Sequence, residues 1–96
     1  MVLKIYAFDA SSLLDNPQAQ IELLSDALAS GDGSYVAGAI GLIARARGMT
    51  QIARDAGLSR QALYDALSDE GNPTLDTVMR VLRAMQIDLK AGARAA

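Results

Sequence analysis

The polar side chains in the second half of the run MTQIARDAGLSRQALYDALS, residues 49–68, fall at the spacing of one helical face: Arg60, Gln61, Tyr64, Asp65 and Ser68. These side chains suit the edges of base pairs. Arg can pair bidentately with guanine and Gln with adenine, Asp can accept from cytosine, and each good pairing contributes about 1–3 kcal/mol of discrimination. Gln51 and Arg54 stand in the first half of the run, with Ser59 between the halves. Together with Ser68 they are the donor types that hold phosphate oxygens and set register without reading sequence. Arg60, Gln61, Tyr64 and Asp65 are therefore the expected base-contacting residues, and Gln51, Arg54, Ser59 and Ser68 the expected phosphate contacts.

Such a surface works only if the helix that bears it is held outward by a second helix. Ala53 is placed to face the crossing helix, where a longer side chain would hold the two apart. Gly57 marks a sharp turn, because a left-handed backbone is nearly free only for glycine. Ser59 is a natural N-cap for the second helix. Ile52, Ala56, Leu58, Leu63 and Ala66 supply the buried side of the pair. The pattern describes a helix-turn-helix, whose second helix enters the major groove. A plain helical hairpin with a solvated polar face is the alternative.

Around this unit the chain reads as further helices. Asn16-Pro17 offers a cap followed by proline at the first helical position, and a helix is expected to about Ser30 with Ile21, Leu24, Ala27 and Leu28 on one face. Gly31-Asp32-Gly33 ends it, and Asp32 or Ser34 can cap the next. That helix, to about Arg47, presents Val36, Ile40 and Ile43, with Gly38 and Gly41 inside it. An internal glycine costs about 1 kcal/mol relative to alanine, which predicts close approach of another backbone. Gly48 stops the helix. Gly71-Asn72-Pro73 makes a loop, and Thr74 can cap a last helix with Leu75, Val78 and Leu82 inward. Met49, Met79 and Met85 read as core filler. At the start, Val2 to Phe8 alternates with the period of a short strand, and no second strand is legible to pair with it. The segment calls for a partner strand, from a second protomer or from another protein, unless it frays.

Composition narrows the function. The 96 residues suffice for one core, and the absence of Cys and His removes thiolates, imidazole bases and the usual zinc ligands. Ser11, Ser12, Asp65, Asp69 and Glu70 have no base or oxyanion loop beside them, so no catalytic residues, metal or cofactor are expected. No signal-peptide pattern opens the chain and no apolar run reaches the roughly 20 residues that span a bilayer, so a soluble cytoplasmic protein is expected, with no membrane partner. The net charge is −2. Residues 1–33 set Lys4 against Asp9, Asp15, Glu22, Asp26 and Asp32, whereas residues 34–68 set Arg45, Arg47, Arg54 and Arg60 against Asp55 and Asp65. An acidic front joined to a basic middle suggests two surfaces with different partners, the alternative being ordinary surface scatter.

The runs FDASSLLDNPQAQIELLSDALASGD, ARARGMTQIARDAGLSRQALYDALS and GNPTLDTVMRVLRAM resemble the Cro/C1-type (XRE) helix-turn-helix regulators. They resemble more closely the short addiction-module antidote proteins related to the HigA antitoxins. The sequence departs from that pattern at Gly33-Ser34-Tyr35 and in its alanine-rich tail. The expected fold is all-α, a five-helix lambda-repressor-like helix-turn-helix domain with a short N-terminal strand. Residues 1–30 would form a dimer or toxin-binding segment, 31–90 the DNA-binding domain and 91–96 a flexible tail. The resemblance implies an antitoxin that neutralises a RelE/ParE-type toxin and represses its own operon, binding inverted-repeat operator DNA as a homodimer. A stand-alone phage-type repressor and a protein-interaction module that does not bind DNA are the alternatives.

Overall fold

A computed structural model of the protein describes residues 15–68 and 70–94. Among them are five helices and no strand: α1 (Pro17–Ser30), α2 (Gly33–Arg47), α3 (Met49–Ala56), α4 (Arg60–Ala66) and α5 (Leu75–Ala84). The expected strand from Val2 to Phe8 lies outside the described residues.

Local chemistry starts and stops the helices where the sequence predicts. The Asn16 side chain accepts from the Ala19 amide at 3.1 Å, with Pro17 in the first turn. Asp32 caps α2 by accepting from the amides of Ser34 at 2.9 Å and Tyr35 at 3.4 Å. Ser59 and Thr74 cap α4 and α5, accepting from Ala62 and Thr77 at 3.0 and 3.1 Å. Each cap satisfies amides that have no partner inside the helix and contributes about 1 kcal/mol. Gly48 ends α2 and begins α3 at φ 109°, ψ 106°, a conformation closed to side chains with a Cβ.

Helix α2 is the centre of the molecule and is buried along most of its length: Tyr35, Ala37, Ala39, Ile40, Gly41, Ile43 and Ala44. One side packs with Leu24, Met49, Ile52, Leu63, Leu67, Val81, Leu82, Met85 and Ile87 into the main core, and the other meets Leu23 and Ala27 of α1. Gly41 has the compensation expected of it. A Cβ there would stand 3.0 Å from the Leu67 carbonyl oxygen, so its absence lets the end of α4 close on α2.

Two inward faces differ from expectation. In α1 the buried residues are Gln20, Leu23, Leu24 and Ala27, while Ile21 and Leu28 are exposed. The cause is Arg47, whose Nε donates to Gln20 Oε1 at 2.7 Å and whose Nη1 donates to the Met85 carbonyl. With its amide satisfied, Gln20 can be buried, and the helix turns that side to α2. In α5 the core takes Val81 and Leu82, with Val78 half-buried, and leaves Leu75 74% exposed. Leu75 is the first residue of its helix, at an open cleft that it lines with Leu28 of α1 and Val36 of α2. Met79 is exposed as well, so only Met49 and Met85 of the three methionines fill the core.

Tyr35 carries a strongly perturbed titration. Its hydroxyl, 3% exposed as a residue, donates to Asp26 at 2.5 Å. Burial, and then the hydrogen bond and charge of Asp26, push the phenol up to about 12. No helix of the described residues is long and apolar enough to cross a membrane.

Candidate nucleic-acid interface

Helix α3 buries Met49, Ile52, Ala53 and Ala56, which leaves Thr50, Gln51, Arg54 and Asp55 on the outside. This strict division follows from the two-turn length: every residue either meets the core or meets water. The chain then reverses over three residues. Gly57 sits at φ 73° and its amide donates to the Arg54 carbonyl at 3.2 Å, while the Leu58 amide donates to the Ala53 carbonyl at 2.9 Å. Ala53, 3% exposed, is small enough for the following helix to pass close by. Leu58 and Ala66 are half-buried against the core.

Helix α4 is anchored by Leu63, which is fully buried, and presents Arg60, Gln61 and Asp65 to solvent. Tyr64 is half-buried, its ring stacked by two cations. The guanidinium carbon of Arg60 lies 5.3 Å from the ring centroid and that of Arg45, from the last turn of α2, lies 5.6 Å away. Arg60 Nη2 also donates to the Tyr64 hydroxyl at 3.4 Å. One residue further along each side, Gln61 Nε2 donates to Asp65 Oδ1 at 2.9 Å. On α3, Gln51 and Asp55 form the equivalent pair at 2.8 Å.

The four expected base-contacting residues thus stand together on α4, and Gln51 and Arg54 stand together on α3. Ser59 lies between them at the start of α4. Its oxygen accepts from the Ala62 amide, and its hydroxyl hydrogen remains to be donated. Ser68 differs: it is half-buried and its hydroxyl donates to the Asp65 carbonyl at 3.0 Å, so a phosphate contact requires that bond to be exchanged.

Two further positions matter to this surface. Arg45 enters the sequence reading only through its charge, yet it reaches the ring of Tyr64. Its spacing of four from Gly41 is the local signal, since that places both on one side of α2, where a Cβ on Gly41 would be 3.8 Å from the Arg45 guanidinium. Gly71 backs the end of α4, and a Cβ there would stand 2.6 Å from the Asp65 carbonyl oxygen. Its amide donates to the Ser68 carbonyl at 2.9 Å. Among the described residues no group of acidic side chains is arranged to hold a metal ion.

A sequence model of the family described as "probable addiction module antidote protein" matches residues 4–93. An uncharacterised protein of Haemophilus influenzae (strain ATCC 51907 / DSM 11121 / KW20 / Rd) is 41% identical over 90 residues, which is 94% of this chain and 93% of its own. No solved structure matches the chain. With nearly its whole length matched, this chain belongs to the addiction-module antidote family.

Proposed function

We propose that the protein is the antitoxin of a type II toxin-antitoxin module, which neutralises a RelE/ParE-type toxin and represses its own operon by sequence-specific DNA binding. Family membership supports the antitoxin half. The observation that carries the DNA-binding half is the α3, turn, α4 unit, read as a lambda-repressor-like helix-turn-helix. Its second helix turns Arg60, Gln61, Tyr64 and Asp65 outward on a platform fixed by Leu63, Gly57 and Ser59.

In this reading α4 lies in the major groove, with Arg60 and Gln61 as the principal readers and the Tyr64 hydroxyl and Asp65 completing the base-facing surface. Gln51, Arg54, Ser59 and Ser68 hold the flanking phosphates. One such module has few cations and binds weakly. A homodimer doubles both phosphate contacts and base readout, and its operator is an inverted repeat with half-site centres about 34 Å apart. Residues 1–30, with their excess of carboxylates, serve dimerisation or meet the basic surface of the toxin. The protein has no catalytic activity of its own, and it works in the cytoplasm.

The net charge of −2 favours a second reading, a protein-interaction module that has kept the helical pair without binding DNA. Two assays in the same cells separate the two. A reporter fused to the protein's own promoter, and growth under induction of the neighbouring toxin gene, are each measured with and without the protein. Repression together with restored growth is expected. Restored growth without repression supports the interaction module, and repression without rescue indicates a stand-alone phage-type repressor.

A further inference from the structure

We propose that Arg45 of α2, seated on the Tyr64 ring beside the base-reading Arg60, binds a backbone phosphodiester and so extends the DNA contact beyond the two-helix unit. This inference rests on the DNA-binding reading above. Two exposed guanidinium groups from different helices lie within 6 Å of one ring centroid, and neither is ion-paired among the described residues. Guanidinium groups stacked on an aromatic face lose little of their hydrogen-bonding edge, because stacking uses the flat face and leaves the N–H fork free. Two cations beside one ring raise the local positive potential. A phosphate that Arg45 holds there is favoured by both charges, which two dispersed arginines would not offer.

The position of Arg45 has a partial structural explanation in the α2 dipole, since a cation is favoured in the last turn of a helix. The dipole does not account for its direction. Instead of extending into water past Gly48, the side chain lies back toward Gly41, whose missing side chain also admits Leu67, and reaches Tyr64 on α4. Tyr64 is thereby the platform of the site: its ring holds both cations, and its hydroxyl accepts from Arg60. Arg45 contributes affinity and salt dependence, with no share in base preference, because it approaches from α2 and not from the groove-facing side of α4.

The test is fluorescence-anisotropy titration of the full chain against two 30-base-pair duplexes, one from the protein's own promoter and one of shuffled sequence, between 50 and 200 mM salt, conditions chosen to span the range in which phosphate contacts dominate (~0.9 of slope per phosphate). Arg45→Gln is expected to weaken both duplexes about tenfold, the order of one lost hydrogen bond to a charged group. It should lower the salt slope by about 0.9 per bound protomer and leave the ratio between the duplexes unchanged. Tyr64→Phe keeps the ring and is expected to retain the slope, whereas Tyr64→Leu should reproduce the slope of Arg45→Gln. Thermal melts of each variant confirm that it is folded. An unchanged slope in Arg45→Gln, or a changed ratio between duplexes, overturns the site while leaving the DNA-binding reading intact. Failure of the unsubstituted protein to bind either duplex at 50 mM salt overturns both.

Discussion

Gln61 donates one amide hydrogen to Asp65 and keeps the other, with its carbonyl oxygen, for a base edge. The pair orients the amide before DNA arrives, which suits a bidentate contact to adenine. Gln61→Ala is therefore expected to lose about 1–3 kcal/mol on operator DNA and to relax preference at one base pair per half-site. Arg54, exposed on α3, has a different role. Its substitution by Ala should weaken binding to every sequence and lower the salt slope by about 0.9 per protomer. Equal losses on operator and shuffled DNA for both variants would contradict this division. Tyr35 lies in the core away from these residues and reports on stability. Its folded-state phenol, up at about 12, stands above the ordinary value of 10.0. The unfolded chain therefore releases its proton first, and the stabilising contribution, complete below pH 10, is lost as pH rises from 10 to 12. Tyr35→Phe should lower stability by about 0.5–1.5 kcal/mol at neutral pH and flatten the alkaline fall between pH 10 and 12. Denaturant melts of both proteins across that window are the check.

At the scale of the elements, the surface depends on two glycines of different kinds. Gly57 needs its positive φ, and Gly57→Ala is expected to cost about 1–2 kcal/mol for a left-handed alanine. Gly71 needs space: a methyl group 2.6 Å from the Asp65 carbonyl oxygen forces the loop after α4 to move. Gly71→Ala should lower the denaturation midpoint more than Gly57→Ala does, and an unchanged midpoint would show that the loop does not back α4. The helix boundaries were legible in the sequence because capping is local: Asn16, Asp32, Ser59 and Thr74 each bond an amide two or three residues on. The buried faces were less so. Whether Ile21 or Leu23 turns inward depends on Gln20 finding Arg47, 27 residues away, and no periodicity encodes that. Leu75 and Met79 fit an amphipathic pattern yet lie on the side of α5 that has no helix to cover it among the described residues. Within the candidate site, the residues of α3 and α4 were legible because they share one contiguous pattern. Arg45 was not, because its approach to Tyr64 follows from the packing of α2 against the end of α4.

For the whole molecule, a net charge of −2 coexists with a cluster of arginines because eight of the nine Lys and Arg residues lie after residue 33, while five of the eleven carboxylates lie before it. Under the proposed function, that separation would let the acidic N-terminal part meet a basic protein while the arginine-bearing part meets phosphate. Removal of residues 1–8 should leave the helices folded and weaken dimerisation, toxin binding or both. Sedimentation at tens of micromolar and growth rescue measure these, and unchanged behaviour in both would exclude a partner-binding role for the segment. The central claim is that α4 reads sequence. It is tested most directly by the ratio of affinities for the protein's own promoter duplex and for the same duplex shuffled, measured near 150 mM salt. A sequence-reading dimer is expected to favour the promoter by about a thousandfold or more. A ratio near one, or no binding to either, would contradict it.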